Sequence, residues 1–257
     1  MEIIVISTAA FLVAILTFFS GFGLGTILTP VLMIFFPVEQ AITITGIVHL
    51  FNNVFKLLLV GKHADKNVLL RFGIPAVLTA LLGAWLLLYV QHWEPLFSYT
   101  AWDKVIEVFP VKLIIAVFLI FFALVDLIPY FNTIQFGKEK LPLGGALSGF
   151  FGGLTGSQGA LRSAFLIKAG LSKEAFIGTA VVVSTFVDIT RLSVYTTGLS
   201  KTAISENLTL IICATVAGMA GAFTGHKLLK KVTLRSLQML VAIMLILISI
   251  ALGAGLI

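Results

Sequence analysis

Two short stretches carry chemistry that their surroundings do not call for. "GGLTGSQGALR", Gly152 to Arg162, places four glycines, a serine, a glutamine and an arginine inside an otherwise apolar segment, and "SGFGLGT", ending at Thr26, breaks an earlier one. Glycine costs a helix interior about 1 kcal/mol relative to alanine, and arginine near a bilayer centre costs roughly 2.5 to 3.5 kcal/mol. Backbone groups freed at a helix break are tolerated at membrane depth where they line a cavity. The amides that open the following half-helix, with its positive dipole end, form a seat for an anion. The expected contacts to a small anionic solute are therefore Gly23, Gly25 and Thr26 from one turn and Gly156, Ser157, Gln158 and Gly159 from the other, the second turn running on to Ala160. Arg162, within the first turn after that break, is expected to bind the same anion, balancing its charge or gating its path. Two competing roles are close helix packing for the glycines and snorkelling to an interface for Arg162.

A second set of polar residues lies on apolar helices. Asp188 is the only acid well inside an apolar run, and Arg191, one turn on, shares its face with Ser184 and Tyr195. The pair either neutralises itself or couples protons or gates a pathway. In the first half, His49, Asn52 or Asn53, and Lys56 follow the spacing of one helical face. Lys56 is near enough to a segment end to snorkel, whereas His49 and Asn52 need partners, because an unpaired polar group in lipid is costly. They either join helices or line the pathway. His63, His92 and His226 fall in loops, Glu39, Asp126 and Glu174 near segment ends, and Cys213 in an apolar run as a small buried hydrophobe. No metal-ligand spacing, cofactor motif or catalytic constellation stands out, so neither an enzyme nor a cofactor protein is expected.

The elements that must position these residues follow from composition. Of 257 residues 59% are hydrophobic and 11% charged, with a mean hydropathy of +1.12, against about a quarter charged in a soluble domain. This is the profile of an all-α integral membrane protein with about eight membrane segments. They fall at about 3–36 with a break at Gly21 to Gly25, 41–60, 67–90, 110–130, 141–170 with a break at Gly152 to Gly159, 174–198, 203–224 and 232–256. The start, with Glu2 and no basic leader, reads as a retained membrane element rather than a cleaved signal. The net charge of +6 is explained by basic short loops on the cytoplasmic side rather than by nucleic acid.

The two most basic loops, "GKHADKNVLLR" and "HKLLKKVTLR", reach the same side only if the fifth segment enters and leaves on one side. The first segment breaks in the same way, so segments 1 and 5 are each re-entrant or sharply broken, as two half-helices of about 12 residues rising about 18 Å. Both termini are then extracytoplasmic. The long loop 91–110, with three acids and Trp93, Tyr99 and Trp102, is also extracytoplasmic, its aromatics at the interface.

An offset of about 134 to 138 residues aligns the two glycine breaks and the helices that follow, placing Asn53 with Lys56 opposite Asp188 with Arg191. The chain thus divides into repeats at 1–130 and 131–257. Each holds one hairpin and three crossings, an odd number, so the copies are inverted, as in secondary transporters.

At "SGFGLGTILTPVL" and "GGLTGSQGALRSAFLIKAGLS" the chain resembles the sulfite exporter TauE/SafE family, also called the toluene sulfonate uptake permease family. The resemblance covers essentially the whole length. It implies a multi-pass inner-membrane carrier for a small sulfur-containing oxyanion such as sulfite or an organosulfonate; alternating access of the two inverted halves is the mechanism expected from the repeat, with the coupling ion, proton or sodium, left open. Arg162 is not part of the resemblance, since the family often has a further Gly-Gly pair where this chain has "GALR". An anion channel is the near alternative, and a membrane-embedded enzyme or assembly subunit the distant one. The partners implied are a small anion and the lipid bilayer, with no nucleic acid and the oligomeric state left open.

Overall fold

A computed structural model describes residues 2–20, 23–128, 137–167, 169–198, 201–228 and 234–257. The first apolar segment is a helix α1 (Glu2–Ser20) followed by α2 (Leu24–Met33). Then come α3 (Val38–Val60), α4 (Lys66–Val90), strands β1 (Phe97–Ala101) and β2 (Lys104–Val108), and α5 (Pro110–Leu127). The second half holds α6 (Leu141–Thr155), α7 (Gly159–Ile167), α8 (Lys173–Gly198), the short α9 (Lys201–Glu206), α10 (Leu208–Leu228) and α11 (Leu234–Gly253). Among the described residues, four helices are long and apolar enough to cross a membrane, at 40–63, 66–90, 173–197 and 208–227, with shorter apolar helices at 2–18, 24–33, 110–124 and 242–253. Large side chains such as Leu58, Leu70, Leu82, Trp85, Val216 and Leu247 are exposed around the bundle, as a lipid-facing surface requires.

Several expectations need correction. The broken segments do not split into equal halves of 12 residues: α1 has 19 and α2 has 10, α6 has 15 and α7 has 9. At 1.5 Å per residue α1 rises about 28 Å, so the break lies well past its middle. The 91–110 loop contains an antiparallel hairpin pairing Phe97 with Val108 through Ala101 with Lys104. Apolar and polar residues alternate in the first strand, and Trp102 and Asp103 take the left-handed backbone (φ 51° and 59°) that a tight hairpin turn needs. His226 is in the last turn of α10 rather than in a loop, and Cys213 is half-buried. Gly21, the side chains of Glu39, Asp126 and Ala160, and residues 229–233 of the second basic loop lie outside the described residues.

Local sequence explains the irregular turns. Pro75 in α4 lacks the N–H that would bond back one turn, and the chain widens into a π-helical turn at Leu69–Gly73 just before it. Gly156 closes α6 in the left-handed conformation, φ 75°, where glycine carries no penalty.

Small residues bring the helices together. A Cβ on Gly145, Gly149 or Gly153 of α6 would strike the backbone of Phe72, Ala76 or Ala80 on α4, and one on Gly83 would strike the backbone of Phe150. This is glycine at four-residue spacing, which lets two backbones touch. In the same way Gly221 and Gly225 of α10 seat α1 at Phe11 and Phe18, and Gly253 of α11 meets Ala116 of α5. Most glycines of "LGGALSGFFGG" therefore serve packing, leaving those of the turns for another role.

The bundle has two distinct ends. At one, Phe18 takes the Lys56 Nζ 5.3 Å from its ring centroid and the His226 ring at 5.7 Å, so α1, α3 and α10 finish together beside the Gly61–Lys66 connection. The start of α8 is there too, since Thr179 Oγ1 accepts from Asp65 N at 2.9 Å. At the other end, Tyr99 Oη on the hairpin donates to Ala254 O at 2.6 Å, just beyond α11. Trp85, Tyr89 and Trp93 form an exposed aromatic ladder at the end of α4. Between the ends α3 and α8 run antiparallel through the middle of the bundle.

Candidate functional site

Both helix breaks come to the centre and touch. Ser157 Oγ donates to Thr26 Oγ1 at 3.0 Å, and a Cβ on Gly25 would stand 2.9 Å from Gly156 O. α2 opens at Gly23 with no side-chain cap, and Thr26 N turns back to Gly23 O at 3.1 Å. α7 opens at Gly159, and Arg162 N bonds Gln158 O at 3.1 Å. Gln158 O also accepts from Ser148 Oγ at 3.2 Å, while the Gln158 side-chain amide, 2% exposed, has no hydrogen-bond partner among the described residues.

Against these turns lies a charged cluster from α3 and α8. Asp188 Oδ2 accepts from His49 Nδ1 at 2.7 Å and from Asn53 Nδ2 at 2.9 Å. Its Oδ1 accepts from Arg191 Nε at 3.0 Å, with Arg191 Nη2 at 2.8 Å. Asp188 and Arg191 are both 0% exposed, and such a pair holds only when the remaining lone pairs are also satisfied. His49 and Asn53 do that here. Tyr195 hydrogen-bonds Gly153 O, one turn beyond Arg191.

The polar face expected on α3 divides in two. His49 and Asn53 turn to Asp188. Asn52, its amide oriented to satisfy both partners, donates to Gly218 O on α10 at 3.2 Å and accepts from Lys56 Nζ at 3.2 Å. Lys56 is 5% exposed, with its ammonium over Phe18. It does not snorkel free.

Beside the cluster, toward the end that carries the 61–66 connection, is a tight cavity of about 30 Å³. Polar groups of Gly23, His49, Asn53, Lys56, Arg162 and Ser184 line it, and Arg162 Nη1 hydrogen-bonds Ser184 Oγ. Thr17, Phe18, Phe176, Ile177, Ala180 and Val181 complete the wall. None of these carried a signal in sequence, where such residues on an apolar helix read as core. Gly25, Thr26, Gly156, Ser157, Gln158 and Gly159 do not border this space, because their turns press on each other and on Arg191, and Asn52, Asp188 and Arg191 lie outside it as well.

An apolar helical bundle with interrupted helices meeting over buried charge is a multi-pass membrane protein. It belongs to the sulfite exporter TauE/SafE family, which it matches over residues 6–252. That is a family of membrane transporters for sulfur-containing anions, not of enzymes. No curated protein and no solved structure matches the chain.

Proposed function

We propose that the protein is a secondary transporter of a small sulfur oxyanion, sulfite or an organosulfonate, and that its anion seat is the cavity between Lys56 and Arg162. One observation carries this reading. Among the described buried side chains Lys56, Arg162 and Arg191 are cationic and Asp188 alone is acidic, and two of the three cations line one cavity. Cationic side chains brought together on one buried cavity suit an oxyanion, which accepts from both, with Ser184 and Asn53 beside them as further donors.

Alternating access follows from two inverted repeats. Their support is a constant separation: Asn53 and the Asp188 it bonds are 135 residues apart, and the starts of α2 and α7, and of α3 and α8, are separated by the same interval. Contacts exchange accordingly, with α1 on α10 matched by α6 on α4. The basic end, with Lys62, Lys66 and Lys227, is taken as cytoplasmic, which puts both termini outside the inner membrane. A gradient of protons or sodium drives the cycle.

The test is flux in reconstituted vesicles with sulfite and an alkylsulfonate against sodium and a neutral sugar as controls. Saturable, gradient-dependent movement of the sulfur anions alone is expected. Movement of the controls with no sulfur-anion flux would refute the reading, and non-saturating flux would make the protein a channel.

A further inference from the structure

One buried imidazole borders the cavity with a nitrogen still uncommitted. His49 Nδ1 meets Asp188 Oδ2 at 2.7 Å, and because a carboxylate only accepts, Nδ1 carries the hydrogen. Asn53 Nδ2, 3.2 Å from the same Nδ1, is itself a donor and bonds Asp188 Oδ2 at 2.9 Å. The tautomer is thereby fixed, and in the neutral ring Nε2 holds the lone pair. No described residue hydrogen-bonds Nε2. It faces Gly23, where a Cβ would stand 2.8 Å from it, and both residues border the cavity with Lys56 and Arg162.

The groups around the ring decide when Nε2 can take a proton. Asp188 and, behind it, Arg191 face His49 from α8, Lys56 follows on α3, and Arg162 borders the same cavity from α7. α1 and α2 bring only Thr17, Phe18 and Gly23 to the cavity, and α10 meets this part of α3 through Gly218 O at Asn52. Asp188 is not free to carry the proton, since one oxygen holds Arg191, the other holds His49 and Asn53, and it does not border the cavity. Arginine does not release its own. With the cavity empty, a second hydrogen on the ring would stand unpaired and add a like charge beside Lys56 and Arg162. With an oxyanion present, Nε2–H gains an acceptor of opposite charge. Proton and anion therefore each favour the binding of the other, by the same factor.

We infer that His49 carries the coupling ion: Nε2 takes one proton as the oxyanion enters the cavity between Lys56 and Arg162 and releases it with the anion on the opposite face, which makes the protein a proton–anion symporter. The inference rests on the transport reading above and names its driving ion. The proton comes from water on the loading face and returns to water on the other, and no other bond forms or breaks. Asp188 positions the ring by holding Nδ1–H, so that only the nitrogen beside Gly23 gains and loses a hydrogen.

The test compares wild type with His49→Asn, which keeps an amide donor where Nδ1 stands and has no basic nitrogen. The full chain is placed in vesicles with the membrane potential held at zero and the lumen one pH unit above the outside, and labelled sulfite is followed to its steady state. Sulfite speciation is the same for both proteins, so a difference between them belongs to His49. The wild type is expected to hold about ten times more internal sulfite than the variant, the work of one proton across that gradient. His49→Asn is expected still to exchange labelled for unlabelled sulfite, and Lys56→Met, though weaker in affinity, to keep the wild-type accumulation. Equal accumulation by wild type and His49→Asn, a folded His49→Asn protein that has lost exchange as well, or loss of accumulation in Lys56→Met overturns the inference. Should His49→Asn not fold, lumen pH decides in wild-type vesicles at pH 8 on both sides: acidification as sulfite enters supports symport, and an unchanged or more alkaline lumen overturns it. Accumulation driven by sodium in place of protons overturns the inference and leaves the transport reading standing, whereas wild-type vesicles that carry no sulfite overturn that reading.

Discussion

Asp188→Asn keeps the shape of the side chain and removes its charge. In the wild type one carboxylate, fully buried, receives His49 at 2.7 Å, Asn53 at 2.9 Å and two nitrogens of Arg191 at 3.0 and 2.8 Å. An amide in its place turns an NH₂ toward one of these donors and leaves Arg191 as an uncompensated buried cation. Breaking a buried pair by removing one partner costs about 3 to 5 kcal/mol. Apparent unfolding temperature and the fraction of monodisperse protein in detergent read the loss. Arg191→Met alone leaves Asp188 uncompensated and costs a similar amount. The double variant removes both charges, and the cycle is expected to return a coupling of about 2 kcal/mol or more, so that it is more stable than the two single losses summed. Additive effects, or an Asp188→Asn protein as stable as the wild type, would refute the claim that Asp188 and Arg191 compensate each other's buried charge.

Three further outcomes are expected. Gly25→Ala drives a methyl against Gly156 O, 2.9 Å away, and forces two backbones apart; transport falls at least tenfold, whereas Gly170→Ala, with nothing within 4 Å, leaves flux intact at a cost of about 1 kcal/mol from its positive φ. Gly149→Leu, which would drive its side chain into the Ala76 carbonyl, abolishes accumulation of folded protein, read by size exclusion of a fluorescent fusion, while Leu70→Ala on the exposed face of α4 does not. Lys56→Met, which preserves the stem over Phe18 and removes the charge from the cavity, raises sulfite KM about tenfold or more with little change in unfolding temperature; an unchanged KM would limit Lys56 to holding Asn52.

Much of the architecture was legible because lipid imposes simple rules. Apolar length located the helices, and the glycine breaks near Gly23 and Gly156 marked where α2 and α7 begin. Asp188 with Arg191 was conspicuous because charge in an apolar helix demands a partner. What was hidden is three-dimensional. Periodicity cannot divide one face between two neighbours, so the turn of His49 and Asn53 toward Asp188 and of Asn52 toward α10 was not foreseen. Nor can it separate glycines that seat a neighbouring helix, such as Gly149, from Gly156, which adopts a left-handed turn within a few residues of it. Phe18 and Phe176 carry the same pattern as core residues, and only the fold brings them to a cavity. The hairpin at 97–108 was missed because its acids and aromatics were read for their side of the membrane and not for their alternation.

Selenite is a close analogue of sulfite with an anomalously scattering centre, and its position in a crystal of this protein tests the account most directly. An anomalous peak within hydrogen-bonding distance of both Arg162 and Lys56, abolished by Arg162→Met, is the predicted result. A peak confined to the protein surface, in a crystal whose protein transports sulfite, would contradict it.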